Sequence, residues 1–245
     1  MVTLAALAGV PEVRAGDDLA GLLAAAAARL EGGLRAHDVL AVAHKVISKA
    51  EGRTVRLAAV TPGPQAAALA AAHGKDPRHV QVILDESADV LRADRGRLIC
   101  RTRHGFVCAN AGVDASNAGA PDTLVLLPED PDASARALRR ALGCAVVITD
   151  SFGRAWRTGQ AEVAIGCAGL RAVEDWRGRP DAHGRALAAT VIAIADEAAA
   201  AADLVRGKDT REPAVRIRGL ERHVTDEDGA GAAALVRALE DDLFR

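Results

Sequence analysis

The segment DPDASARALRRALGCAVVITDSFGR, Asp130 to Arg154, decides how this chain is built. Asp130 followed by Pro131 suits a helix start, because proline at the first helical position gives up no needed N–H and brings a pre-set φ. The helix is predicted to run through Leu142, with Ala133, Ala137, Leu138 and Ala141 able to face inward. Cys144 to Thr149, CAVVIT, then reads as a buried strand that ends in Asp150. Were such units repeated, the chain would be a doubly wound sheet. Outside this segment helices and strands do not alternate regularly, so the expected class is α+β, with mixed sheets and flanking helices.

Working towards the N-terminus, Thr123 to Leu127, Gly105 to Cys108 and Leu98 to Thr102 read as strands. Pro64 to His73 and Pro77 to Ala88 read as helices, each with proline in its first turn. Asp38 to Ala43, DVLAVA, is a short buried strand, and Asp17 to Glu31 a helix capped by Asp17 or Asp18 with Leu19, Leu22, Leu23 and Leu30 as its apolar stripe. Towards the C-terminus, Gly153 to Gly184 is glycine-rich and expected to be loops, except for an extended Glu162 to Ala168. A long helix from His183 to Arg206, a strand from Ala214 to Arg218 and a last helix from Gly229 to Phe244 complete the expectation. No solenoid repeat or low-complexity linker divides residues 1–245, which read as one unit or two closely joined α+β lobes.

Hydrophobic residues make up 50% of the chain, enough for a sizeable core, and alanine supplies about half of them. With 2% aromatics, no tyrosine and a net charge of -2, neither stacking platforms nor a basic stripe for nucleic acid are present. The partner is expected to be a small molecule. Cys100, Cys108, Cys144 and Cys167 lack CxxC spacing, which argues against zinc or a disulfide framework and for reduced thiols in a cytoplasmic protein. The N-terminal apolar run has no basic leader before Pro11. Asp196 and Glu197 interrupt the alanine-rich stretch Ala186 to Val205, against a membrane span.

Two aspartates stand in polar clusters just beyond apolar runs: Asp114 in CANAGVDASN and Asp150 in VVITDSFGR. Each has the chemistry to reach a hard cation that also binds phosphate oxygens, and each has equally the chemistry to cap a turn. In HKVISKAEGR, Lys45, Lys49 and Arg53 recur at helical spacing after a strand, which suits either a polyphosphate or a solvated face. Arg154, Arg157 and Gln160 could clamp an anion above Trp156, or form a surface loop pinned by a buried tryptophan. His104 and Cys108 read as turn histidine and core cysteine, since no third group orients them as a base and nucleophile. The chain has no GxxxxGK[ST], GxGxxG or HExxH motif.

The strings SKAEGR (Ser48 to Arg53), GFVCANAGVDASN (Gly105 to Asn117), LLPEDPDASA (Leu126 to Ala135), ITDSFGRAWRTGQ (Ile148 to Gln160), AIGCAGL (Ala164 to Leu170) and DWRGRPDAHGR (Asp175 to Arg185) occur in this order. Together they resemble the coenzyme F-420 gamma-glutamyl ligase family from Gly9 to Leu220. The resemblance implies an α+β fold in an intertwined homodimer. It implies a GTP-dependent ligase that uses Mg2+ or Mn2+, aided by K+, to join L-glutamate to the non-glutamylated deazaflavin F-420-0, and then further glutamates. The family's metal ligands fall on Asp114, Asp150 and Ser151, and its nucleotide contacts on Ala8, Gly9, Val10, Pro11, His44, Lys45, Lys49 and Asn117. Lys49, Asp114 and Asp150 are the expected catalytic residues, and Arg154 is added as an anion contact. One departure is Lys208, which stands where some relatives carry an acidic metal ligand; Asp209 is the nearby carboxylate. Another is that some members continue into a flavin-binding nitroreductase-like domain, whereas this sequence stops at Arg245 after DDLFR. The rival readings are a module that holds a deazaflavin or nucleotide without turnover, and a ligase for another amino acid or acceptor.

Overall fold

The computed structural model describes residues 1–242. In chain order its regular elements are β1 (Thr3–Ala6), α1 (Leu19–Ala27), β2 (Val39–Ala43), α2 (His44–Ala50), β3 (Thr54–Arg56), α3 (Pro64–His73), α4 (Pro77–Asp85), β4 (Ser87–Asp94), β5 (Arg97–Thr102) and β6 (Val107–Ala109). They continue with β7 (Thr123–Val125), α5 (Pro131–Leu142), β8 (Ala145–Arg154), β9 (Arg157–Ala168), β10 (Glu174–Asp175), β11 (Val191–Ile192), α6 (Ile194–Asp203) and β12 (Ala214–Arg218).

The main sheet has five strands in the order β1-β12-β2-β8-β9. Only β2 and β8 are parallel; the other neighbours are antiparallel. The centre of this sheet is buried on both faces, which is why VLAVA and AVVI are continuous apolar runs. One face packs Leu40, Val42, Val146 and Ile148 against Leu23 of α1 and Leu138 of α5. On the other, Val39, Val147, Val215 and Ile217 meet Ala195, Ala198, Ala199 and Ala202 of α6, whose small side chains let helix and sheet approach closely. A separate core of Ala66, Ala70, Val80, Ile83, Leu98, Cys100 and Leu124 joins α3 and α4 to the smaller sheets β4-β5-β6 and β3-β7. The class is α+β with mixed sheets and flanking helices.

Several expectations are met closely. α3, α5 and β12 have the predicted bounds, and the Asp130 side chain accepts from Ala133 N at 2.8 Å to cap α5. Asp18 caps α1 by accepting from Gly21 N. All four cysteines are buried free thiols.

Others need correction. α5 faces the core with Pro131, Ala135 and Leu138, while Ala137 and Ala141 are exposed and Ala133 is half-buried. The helix phase is set by Leu138, the large residue, and alanines on the far side need no burial. β8 does not end at Asp150 but runs to Arg154 and turns back into β9, so Gly153 and Gly159 lie within a hairpin rather than in loops. Its two-residue turn, Ala155 and Trp156, lacks the usual Asn-Gly signal; Trp156 itself takes φ 65° and stands 86% exposed rather than buried. The long helix from His183 is only α6, because the β-branched Val191 and Ile192 pair instead with Asp175 and Glu174. α4 stops at Asp85, since Ser87 opens β4. Among the described residues the segment from Gly229 holds only short 3-10 turns, Gly231–Leu235 and Leu239–Asp241. Asp132 accepts there from Ala232 N at 2.8 Å and Gly231 has φ 63°, a tight turn rather than a helix start. The predicted end of that helix at Phe244 lies outside the described residues.

Candidate active site

The site grows from the parallel pair β2 and β8. Their register sets Ala43 beside Thr149, so the next residues, His44 and Asp150, are neighbours. β2 passes without a loop into α2: Ala43 is both the last strand residue and the helix N-cap. His44 is buried; its Nδ1 lies 3.2 Å from Ser48 Oγ one turn on, and its Nε2 lies 3.3 Å from Asp150 Oδ1. That Nε2 makes no hydrogen bond, so a buried imidazole nitrogen is left close to the Asp150 carboxylate without a partner.

Lys45, the next residue, reaches the other aspartate. Its Nζ donates to Asp114 Oδ2 at 2.6 Å and to Ser116 Oγ at 2.7 Å. Asp114 also accepts from Ser116 N at 2.7 Å and Ser116 Oγ at 2.8 Å. Burial pushes the Asp114 carboxyl up, but the Lys45 ammonium and the Ser116 donors outweigh it and hold the group below the usual carboxylate range. An isolated bridge to Val125 fixes the backbone of Asp114.

Lys49, one turn beyond Lys45, pairs with Glu12 Oε1 at 2.5 Å. Glu12 follows the loop Ala8, Gly9, Val10, Pro11, whose Gly9 has φ 76° and whose Ala8 and Gly9 carbonyls accept from Arg29. Gly119 adjoins the same pair: a Cβ there would meet Glu12 Oε1 at 3.0 Å. Thus α2 gathers the N-terminal loop, the segment after Asp114 with Asn117 in left-handed geometry (φ 53°), and the end of the central sheet.

Not every expected residue joins this cluster. Arg53 lies past the helix end and turns away to the Leu127 carbonyl and Glu86, so it adds nothing to the cationic face. Arg154 is roughly 13 Å along β8 from Asp150, exposed, and bonded to the Thr158 and Gly159 carbonyls of its own hairpin. Ser151 follows Asp150, yet strand alternation sends it to the opposite face, where it donates to its cross-strand partner Glu162. Lys208 Nζ lies 2.7 Å from Ser151 Oγ, whereas Asp209 is exposed in the same loop. Sequence reasoning missed Glu12, Ser116, Glu162 and Arg206; the one signal available was a lone glutamate at the head of the apolar run Val163 to Ala168 of β9.

The cysteines are closed off as nucleophiles by burial. Cys108, Cys144 and Cys167 are each pushed up to about 12 by desolvation, which leaves no thiolate at neutral pH. His104 instead sets its Nε2 near the Pro128 and Glu129 carbonyls and stacks on Phe106, a turn histidine as expected. What remains is three carboxylates, Glu12, Asp114 and Asp150, and two ammonium groups around one helical turn. Among the described residues no three His, Cys, Asp or Glu side chains form a ready metal cage. A hard cation placed here would take carboxylate oxygens from Asp114 and Asp150 and the rest from a bound ligand or water, a donor set that suits magnesium or manganese. No helix among the described residues is long and apolar enough to cross a membrane.

Residues 9–219 match the family model described as F420-0:Gamma-glutamyl ligase. The chain is 46% identical over 242 residues to the coenzyme F420:L-glutamate ligase of Methanopyrus kandleri, covering 96% of this chain and 94% of that protein. It is 44% identical to the enzyme of that name from Methanothermobacter thermautotrophicus, with 100% and 99% covered, and 45% identical to that of Natronomonas pharaonis, with 98% and 93% covered. These likenesses define an enzyme of the ligase class. The chain belongs to the F420-0:gamma-glutamyl ligase family.

Proposed function

We propose that this chain joins L-glutamate to the non-glutamylated deazaflavin F-420-0 at the expense of GTP, that Asp114 and Asp150 would hold Mg2+ or Mn2+, and that it works as a homodimer. The observation that carries the reading is α2: one turn of helix sets Lys45 and Lys49 beside two carboxylates and a glycine-containing loop, with no reactive thiol at hand. Such a site suits phosphoryl transfer, which needs positioning and charge neutralisation more than a covalent nucleophile.

In this mechanism the acceptor carboxylate attacks the γ-phosphorus of GTP, and GDP leaves. The acyl phosphate formed is then attacked by the glutamate amine, which loses a proton as phosphate departs and the amide forms. A divalent cation, when bound, neutralises phosphate oxygens. Lys49 leaves Glu12 to follow the phosphates as charge moves onto the leaving GDP, and the backbone around Gly9 gives the nucleotide a close approach. Lys45 keeps Asp114 ionised, and His44, anchored on Ser48, sets the Asp150 carboxylate.

The test is mass spectrometry of the deazaflavin after incubation with protein, L-glutamate, Mn2+ and either GTP or ATP. Glutamate-sized additions that require GTP and metal are expected. Intact GTP and unchanged cofactor from folded protein would overturn the reading in favour of a binding module, and GTP hydrolysis without addition would point to another acceptor.

A further inference from the structure

L-glutamate carries a carboxylate at each end, and the two lysines of α2 are already engaged, Lys45 by Asp114 and Lys49 by Glu12. A further lysine belongs to the part of the fold built on α3, α4 and the smaller sheets. Gly74, with φ 64°, ends α3 in a left-handed cap, and Lys75 N donates to the Ala70 carbonyl at 3.0 Å. The next residue, Asp76, caps α4 by accepting from Arg78 N at 2.8 Å. Lys75 is therefore fixed in backbone between two capped helices. Asp76 also holds the Arg78 guanidinium through both of its oxygens, so the adjacent carboxylate is taken. Lys75 is half-buried, yet its ammonium has no hydrogen bond or ion pair among the described residues. His79, in the first turn of α4, ties it to the site. Burial above all, and then the Lys75 ammonium, push the imidazole pKa down, while Asp76 and Asp114 act the other way, so the ring lies within electrostatic reach of both Lys75 and Asp114. α4 also packs on the Asn110–Gly112 turn that leads into Asp114.

We propose that Lys75 reads the amino-acid substrate, pairing its ammonium with the γ-carboxylate of L-glutamate while the α-amine reaches the reacting centre beside Asp114. Position favours this end of the molecule. The α-carboxylate shares a carbon with the amine and stays at the centre, whereas the γ-carboxylate lies a side chain's length further out. Charge favours it as well. Asp114 repels an acidic side chain, so a fixed cation beyond it is what lets one settle there. Glutamine has nearly the same shape but no charge to give Lys75, and the lysine thereby sets the preference between the two. A lysine head group on a flexible stem can follow the ligand as it enters, which an ammonium already engaged by protein cannot. The assignment rests on the ligase reading.

The experiment measures ligation by the wild type, Lys75→Met, Lys75→Gln and Lys75→Arg with L-glutamate and with L-glutamine. Binding of both amino acids is measured separately by calorimetry with Mg2+ and a non-hydrolysable GTP analogue present. Lys75→Met and Lys75→Gln are expected to lower kcat/KM for glutamate by about 10- to 100-fold through KM. kcat and the KM for GTP should stay within about 2-fold of wild type. Binding of glutamine should not change, so the preference between the two amino acids collapses. Lys75→Arg, which keeps the charge, should retain most of it. A merely structural lysine would not distinguish glutamate from glutamine. Equal losses with both amino acids, a raised KM for GTP in place of that for glutamate, or unchanged glutamate kinetics would overturn the proposal. A folded wild type that does not ligate removes the ligase reading. Glutamate binding that is absent, or equal in wild type and Lys75→Met, removes the Lys75 assignment on its own.

Discussion

Arg206→Met tests how charge is held beneath the site. Arg206 and Glu162 are 6% and 4% exposed, with Nη2 and Oε2 2.8 Å apart. Removing one partner of a buried pair costs about 3–5 kcal/mol, because the other charge is left desolvated. Lys208 still lies 3.1 Å from the second Glu162 oxygen, so we expect about 2–4 kcal/mol here. With a urea dependence of about 3 kcal/mol/M, the midpoint should fall by about 1 M at pH 7.5. The pH dependence gives a second constraint. Burial drives the Glu162 carboxyl up, yet Arg206, with Ser151, Thr149 and Lys208, holds it below its ordinary 4.5. A depressed carboxyl contributes stability that is complete above its unfolded pKa and is lost as the pH falls through the folded one. Without Arg206 the carboxyl should protonate more readily, so the penalty of the variant should shrink between pH 7.5 and about 4.5. Urea melts at both pH values measure this. A midpoint loss below about 0.3 M, or one equal at both pH values, would refute the reasoning.

Asp114→Asn and Asp150→Asn should each lower GTP-dependent ligation by at least about 100-fold with unchanged far-UV circular dichroism; normal turnover in either removes that carboxylate from the site. Lys49→Met should raise the KM for GTP by about 10-fold while the KM for glutamate holds, as steady-state kinetics will tell. Because Asp114 is held below the usual carboxylate range, its share in cation binding should persist as the pH falls into that range and be lost only below it, which calorimetric titration with Mn2+ on the Asp150→Asn variant and the wild type can follow. Gly166→Ala should destabilise by about 1–3 kcal/mol, since its Cβ would stand 2.6 Å from the Pro131 carbonyl carbon at the start of α5; an unchanged urea midpoint would contradict this.

The parts of the fold legible in the sequence are those whose signals are local. Pro64, Pro77 and Pro131 announce helices, and VLAVA and AVVI can only be strands buried on both faces. The β8-β9 hairpin was not legible, because Trp156 in its turn is held in left-handed backbone by pairing over many residues rather than by its own preference. The same holds for Val191 and Ile192, where strand pairing overrides an alanine-rich surrounding. At the site, the aspartates and lysines were visible as residue types. Their pairing of Lys45 with Asp114 and His44 with Asp150 was not, because it depends on the register between β2 and β8, which sequence spacing does not encode. Glu162 lies on β9 whereas Arg206 and Lys208 lie together in the loop after α6, so no short window along the chain contains all three.

The loopless passage from β2 into α2 makes this region intolerant of changes in length. A residue inserted between Ala43 and His44 would turn the helix by about 100°, swinging both lysines away from their partners at once, and a deletion would do the same in the opposite sense. Homologues and engineered variants can therefore retune this corner by exchanging side chains, whereas any gain or loss of a residue must occur elsewhere.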